Sequence, residues 1–272
     1  MTTLTLTKHH GLGNDFCVLL DLGGTGPQIT AELARAICDR HRGVGADGLI
    51  RATRAADPSE AELTFELRNA DGTPAEMSGN GLRCLAQAAL DAGVVSAGQA
   101  FVVLTPAGPR TVLVLPTEAP TIVWVSVEMG LAHVDGDEER CNIGHGRLRV
   151  DLGNPHLVVL GPDPAVLSVD DLGPSLEKTV PGGQNVEFVT LGPGPDEVTM
   201  RVWERGVGET LACGTGACAA AVAFHQWGRV GRKVTVHQRG GDADVELRPD
   251  GTVVLSGPSQ RIATCVLEVA LP

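Results

Sequence analysis

Leu12-Gly13-Asn14-Asp15-Phe16-Cys17-Val18-Leu19-Leu20 returns 140 positions later as Leu152-Gly153-Asn154-Pro155-His156-Leu157-Val158-Val159-Leu160, with five of nine positions identical. A second echo, offset by 135, sets Ser78-Gly79-Asn80-Gly81 against Cys213-Gly214-Thr215-Gly216, and each opens an alanine-rich run. After each run come two β-rich stretches about a glycine turn, FVVLTPAGPRTVLVL at 101–115 and VTVHQRGGDADVEL at 234–247. A further strand follows in each half, from Thr121 and from Thr252. Four matches in one order read as an internal duplication.

The alanine-rich runs, 81–90 and 216–224, are strong helix formers that end at Gly93 and Gly228. Both are apolar on nearly every side, which marks buried rather than surface helices. Asn80 and Thr215, at matched places, are expected to be the N-caps. A more exposed helix is expected from Thr30 to Arg40. The predicted fold is therefore α+β: two similar pseudo-symmetric halves, each a mainly antiparallel β-sheet wrapped around a central helix. The Pro-containing stretch 115–120 is the best boundary, giving an N-terminal half of 1–118 and a C-terminal half of 119–261. The terminal strand 262–272 is a candidate to complete the first half, and the active site is expected between the two.

Composition narrows the function. The 35 glycines in 272 residues far exceed the ordinary level of about 7%, as many tight turns and close backbone approaches require. A formal charge of -12 argues against a phosphate-tracking surface, so no nucleic-acid partner is expected. No run approaches the roughly 20 apolar residues that span a bilayer, and the N-terminus lacks a signal peptide's apolar core, so a cytoplasmic protein with no membrane partner is expected. The seven cysteines contain no CxxC pair, which argues against a disulfide framework or a zinc ribbon. Cys17, Cys38 and Cys265 lie in apolar patterns and read as packing thiols.

Cys213 differs because it stands at a helix start. Free N–H groups and the positive dipole end there bind anions, and glycines let a ligand approach the backbone. A thiol in that place is expected to have its pKa lowered from about 8.5 toward neutrality, making it a competent acid or base. Cys218, five residues on and on another face, reads as core. Removing a proton next to a carboxylate places a second negative charge on that carboxylate, which two helix starts would stabilise. Inversion then needs one proton-transfer group on each face of the carbon. No pyridoxal lysine, metal set or correctly placed dinucleotide fingerprint appears, so no cofactor and no metal are expected.

Seven stretches give these features a family resemblance: 13–16 (GNDF), 43–48 (GVGADG), 68–72 (RNADG), 78–83 (SGNGLR), 153–156 (GNPH), 185–187 (NVE), and 204–210 (ERGVGET) with 213–216 (CGTG). In this order they resemble the diaminopimelate epimerase signature. The resemblance implies interconversion of LL- and meso-diaminopimelate for lysine and cell-wall synthesis, without cofactor and commonly as a homodimer. It further implies that Asn14, Asn69, Asn154, Asn185 and Arg205 fix the distal end of a small amino-acid substrate. Gly79, Asn80, Gly214 and Thr215 would hold the reacting carboxylate through backbone groups, with His156 and Glu204 beside the two proton-transfer positions. Taken singly, each has a plainer reading: 69–72 as a β-turn, Glu204-Arg205 as a surface ion pair, His156 as a strand-end residue. Gly48, where some relatives carry glutamine, is given no binding role.

Ser78 departs from the pattern, which has cysteine there as the repeat partner of Cys213. A hydroxyl is a poor base at neutral pH unless a neighbour activates it, and Cys84 is nearly two helical turns too deep to replace it. Three readings of the serine remain open: an engineered Cys-to-Ser variant that traps ligand, a natural asymmetric Ser/Cys pair, and a chain that has lost two-base inversion. Rival functions are a non-catalytic amino-acid binder on the same fold, a Cys/His hydrolase using Cys213 and His156, and a dinucleotide enzyme. The last founders on context, since the 43–48 glycines follow a helical pattern rather than a strand.

Overall fold

A computed structural model describes residues 2–116, 121–141 and 144–269. The boundary expected at 118/119 lies outside the described residues. Contacts divide the chain into two compact units, one of residues up to Val127 with those from Gly257 onward, the other Glu128–Ser256.

The first unit opens with β1 (Thr2–Gly11) and β2 (Asn14–Leu20), followed by α1 (Ala31–Cys38) and β3 (Gly48–Arg54). Then come β4 (Leu63–Asn69), the short β5 (Pro74–Ala75), α2 (Gly79–Asp91), β6 (Ala100–Thr105), β7 (Gly108–Leu115) and β8 (Ile122–Leu131), whose end passes into the second unit. The terminal segment pairs antiparallel with β1, Leu4 opposite Leu267. From there the order is β1-β2-β3-β4-β6-β7-β8, antiparallel except for β2–β3 and β4–β6. The sheet wraps α2, whose residues Gly79 to Ala89 are all buried. Strands β2 and β3 are buried almost continuously because α2 packs on them as well as α1. Thr30 caps α1 by accepting from the Leu33 N–H at 3.2 Å, and Ala34, Ile37 and Cys38 pack on Cys17 and Leu49. The helix ends at Cys38, two residues before the expected Arg40.

The second unit contains β9 (His133–Cys141), β10 (Gly144–Asp151), β11 (Pro155–Leu160), α3 (Val169–Glu177), β12 (Asn185–Leu191) and β13 (Glu197–Glu204). It continues with β14 (Gly208–Thr210), α4 (Gly214–Gln226), β15 (Lys233–Gln238), β16 (Gly241–Leu247) and β17 (Thr252–Val269), whose first residues belong here. Its order, β9-β10-β11-β12-β13-β15-β16-β17, repeats the first unit's alternation, with parallel pairing again only at β11–β12 and β13–β15. Helix α4 takes the place of α2, and α3 takes that of α1. The chain is thus α+β, two pseudo-symmetric halves of mainly antiparallel sheet around a central helix, as the repeat predicts.

Both central helices close where expected. Gly93 and Gly228 have φ of +69° and +66°, and the next N–H reaches back five residues, Val94 to Ala89 O and Arg229 to Phe224 O. Their starts lie earlier than expected. The caps are Ser78 and Cys213, both extended, while Asn80 and Thr215 are the second residues of their helices. A glycine first turn leaves the preceding side chain as the nearest acceptor for the free N–H groups.

Candidate functional site

In the second unit the site is built on the start of α4. Cys213 is 6% exposed, and its Sγ accepts from the Gly216 N–H at 3.4 Å and lies 3.5 Å from Thr215 Oγ1. Its own N–H donates to Gln238 Oε1 at 2.9 Å. Asn154, on the turn before β11, donates from Nδ2 to Thr215 Oγ1 at 3.3 Å and receives His156 Nε2 on Oδ1 at 3.2 Å. His156 turns its Nδ1 to Glu187 Oε1 at 2.7 Å, and both side chains are fully buried. Glu204, at the end of β13, accepts from Thr210 Oγ1 at 2.5 Å.

The electrostatics overturn one expectation. Burial, joined by the carboxylates of Glu204 and Glu187, pushes the Cys213 thiol well above its ordinary value; the Thr215 and Gly216 donors at the helix start pull the other way and lose. Burial also raises Glu204, against the opposing effects of Thr210, His156 and Cys213. Burial and the neighbouring carboxylates thus favour the thiol form of Cys213 over the thiolate.

Asn185 opens β12 opposite His156, and Arg205 directly follows β13. Asn185 accepts from the Arg205 N–H at 3.0 Å and donates to Pro155 O at 3.3 Å. The Arg205 side chain is exposed, with a 3.4 Å contact to Gly182 O.

In the first unit, Ser78 Oγ accepts from the Gly81 N–H at 3.0 Å and is half-buried. Asn80 donates to Asn14 Oδ1 at 3.1 Å, and Asn14 donates to Asp47 Oδ2 at 2.8 Å. Arg83, without exposure, donates to Asn80 Oδ1 at 2.6 Å. The contact of Asn14 with Asn80 is the counterpart of that of Asn154 with Thr215, so the repeat extends to side-chain partners. At Asn69, the Gly72 N–H closes a turn on the carbonyl at 2.8 Å and the side-chain amide donates to Thr73 Oγ1 at 3.1 Å. Cys84 is buried in α2 with its thiol pushed up to about 12 by burial. At Gly48 a Cβ would stand 2.9 Å from Leu67 Cδ1 and 3.0 Å from Arg68 O, so the glycine answers to packing.

Sequence reasoning misses three residues that hydrogen-bond the candidate residues. Glu187 falls within a motif but gains no role there, because its spacing from His156 carries no signal until two parallel strands are paired. Gln238 and Asp47 reach the site from a hairpin and a glycine loop. Among the described residues no group of three or more His, Cys, Asp or Glu side chains could hold a metal, and no helix is long and apolar enough to cross a membrane.

The two-unit fold is shared with solved structures. A predicted epimerase from Pseudomonas aeruginosa matches with a TM-score of 0.76 at 18% identity, over 98% of this chain and 100% of the other. A hydroxyproline epimerase from Agrobacterium vitis, with bound trans-4-hydroxy-L-proline, matches at 0.72 and 17%, over 97% and 92%. A phenazine biosynthesis protein from Bacillus anthracis matches at 0.77 and 14%, over 99% and 100%. The fold is thus that of a structural class with epimerases among its members. The family is settled by sequence. The model of the diaminopimelate epimerase family matches residues 6–134 and 148–262. Diaminopimelate epimerases of Synechococcus elongatus and Desulfitobacterium hafniense are each 39% identical, covering 98% and 97% of this chain and 99% and 98% of their own lengths. The chain belongs to the diaminopimelate epimerase family, and its function class is that of an epimerase, an isomerase.

Proposed function

We propose that the protein inverts the α-carbon of LL-diaminopimelate to give meso-diaminopimelate, for lysine and peptidoglycan precursor synthesis, in the cytoplasm, without cofactor and as a homodimer. The observation that carries the chemistry is Cys213 at the start of α4, its Sγ accepting from the Gly216 N–H at 3.4 Å. Glu204 takes the thiol proton when Cys213 must act as base, and Cys213 gives a proton when it acts as acid. Free N–H groups at Gly214 and Thr215 oppose the charge that builds on the substrate carboxylate, as do those at Gly79 and Asn80 in the first unit. Asn14, Asn69, Asn154, Asn185 and Arg205 hold the distal amino-acid end, with the Arg205 guanidinium on its carboxylate. Ser78 occupies the other proton-transfer position.

The serine supports a second reading, in which the chain binds or exchanges the amino acid without inverting it, as a trapped variant or a non-catalytic binder would. Incubation of each diaminopimelate isomer in deuterated water separates the two. An epimerase exchanges the α-hydrogen and inverts; a one-base relic exchanges and retains configuration; a binder does neither, and that last result would end the proposal.

A further inference from the structure

The repeat permits a direct test of what the fold itself requires beneath each helix start. Strand registers match: in the first unit Phe16 stands opposite Gly48 and Val18 opposite Ile50, and in the second His156 stands opposite Asn185 and Val158 opposite Glu187. Phe16 and Ile50 therefore occupy the places of His156 and Glu187. A Cβ on Gly81 would meet Ile50 Cδ1 at 3.3 Å, and one on Gly216 would meet Glu187 Oε1 at 2.7 Å, so the correspondence holds in space within each unit. Phe16 and Ile50 are 3% and 0% exposed and build the same architecture from apolar groups alone. A buried His–Glu pair is costly to desolvate, and the fold does not need it.

The pair begins a continuous chain of contacts. Glu187 Oε1 meets His156 Nδ1 at 2.7 Å, and His156 Nε2 meets Asn154 Oδ1 at 3.2 Å. Asn154 Nδ2 meets Thr215 Oγ1 at 3.3 Å, and Thr215 Oγ1 meets Cys213 Sγ at 3.5 Å. Its polarity follows from donor chemistry. With its proton on Nε2, His156 donates to the Asn154 carbonyl, the Asn154 NH2 donates to Thr215 Oγ1, and the hydroxyl keeps its own proton for the sulfur 3.5 Å away. On the other side of the ring, Nδ1 faces Glu187 Oε1 at 2.7 Å. Each link donates toward Cys213.

We propose that Thr215 is the hydrogen-bond donor to the reacting sulfur of Cys213, and that Asn154, His156 and Glu187 are positioning residues that aim its proton. This rests on the epimerase reading for its catalytic meaning and gives Thr215 a side-chain role beyond its backbone N–H. The donor favours the thiolate that proton abstraction needs, against the burial and the Glu204 and Glu187 charges that favour the thiol. In the first unit Phe16 and Ile50 stand where this chain of contacts has His156 and Glu187, so the two helix starts are chemically unequal.

The test uses the full-length protein and reads alkylation of Cys213 by iodoacetamide against pH, followed by peptide mass spectrometry, alongside kcat and KM. Thr215→Val keeps the side chain's shape and removes the donor. Its alkylation profile should move about one unit to higher pH, a loss of about tenfold in rate at a fixed pH below the midpoint, with kcat falling more than KM rises. Thr215→Ser should restore both. Asn154→Ala should shift the profile in the same direction by less, and in the Thr215→Val background it should add nothing, as members of one chain behave. An unmoved profile in Thr215→Val overturns the donor, and full additivity of the two changes overturns the chain. Alkylation needs no substrate. A shifted profile in a protein that does not epimerise would therefore leave this inference standing while the functional reading fell, and the opposite pattern would do the reverse.

Discussion

Ser78 and Cys213 hold the same place in their two units: each caps a 13-residue buried helix and accepts the N–H of the residue three positions on, at 3.0 Å from Gly81 and 3.4 Å from Gly216. A thiol and a hydroxyl thus do one structural task, and the difference between them is left to chemistry. The caps also show why a cysteine can be buried without being merely core: its sulfur is the first acceptor for a free helix end.

Cys213→Ala tests the proton-transfer role. It removes both the cap, worth on the order of 1 kcal/mol, and the acid–base group, worth about 10²- to 10⁴-fold in rate. Exchange of the substrate α-hydrogen should vanish, whereas binding of diaminopimelate by calorimetry should persist through the asparagines and Arg205. Retained exchange would remove Cys213 from the mechanism.

Two glycine substitutions compare the helix starts. A Cβ on Gly216 would stand 2.7 Å from the anchored Glu187 carboxylate and 3.3 Å from Cys213 Sγ; on Gly81 its nearest neighbours are Ser78 Cβ at 3.2 Å and the movable end of Ile50 at 3.3 Å. Overpacking costs roughly 1–3 kcal/mol, and alanine returns about 1 kcal/mol of helix propensity. Gly216→Ala should therefore lower the urea midpoint, and Gly81→Ala should lower it less or leave it unchanged. The reverse order would contradict the packing described.

The duplication was legible because its marks are local: a glycine pair before a helix, an Asn turn before a strand, a glycine after the last helical turn. What stayed hidden depends on partners distant in sequence. Helix α3 contains Gly173 and Pro174, both helix breakers by propensity, yet Gly173 is needed there because a Cβ would strike Trp203 at 2.4 Å. The helix end alone predicts a lowered pKa for Cys213, and the direction reverses once burial and two carboxylates from other strands are counted. Glu187 carried no sign of its role, since only the parallel pairing of β11 with β12 brings it to His156.

His9 offers a pH test of the first unit. It is fully buried, with Nδ1 3.1 Å from Gln87 Oε1, which also accepts from Ser259 at 2.8 Å. Burial lowers its pKa despite the Gln87 hydrogen bond and Asp91, with Arg261 and His10 adding to the fall. The unfolded chain takes up a proton below about 6.5 that the folded protein refuses. Stability from this site is present above that pH and declines as pH falls toward the lowered folded value. Thermal midpoints measured between about pH 7.5 and 5.5, the range spanning the unfolded value, should drop less steeply in His9→Gln than in the parent. An equal or steeper fall would exclude His9 as a contributor.

Ser78→Cys is the sharpest test of the asymmetric pair. The substitution should be accepted structurally, because Cys213 shows that a thiol caps this kind of helix start. Its surroundings differ from those of Cys213: Ser78 is half-buried, and the residue beneath the helix start is Ile50 where the second unit has Glu187. A thiol there would be less desolvated and would have Ile50 in place of the Glu187 carboxylate beneath it, so the free N–H groups of α2 should hold its pKa below that of Cys213. Under the proposed mechanism the introduced thiol would be the base and Cys213 the acid for one direction of inversion, with roles exchanged in reverse. Turnover should rise on the order of 10²-fold, with little change in KM, since the new group acts on the transition state more than on the bound substrate. The measurement is kcat in both directions for parent and variant, with α-hydrogen exchange as a control. If the parent already inverts its substrate efficiently and Ser78→Cys leaves turnover unchanged, the serine is itself a competent partner, and the handicap assigned to it is wrong.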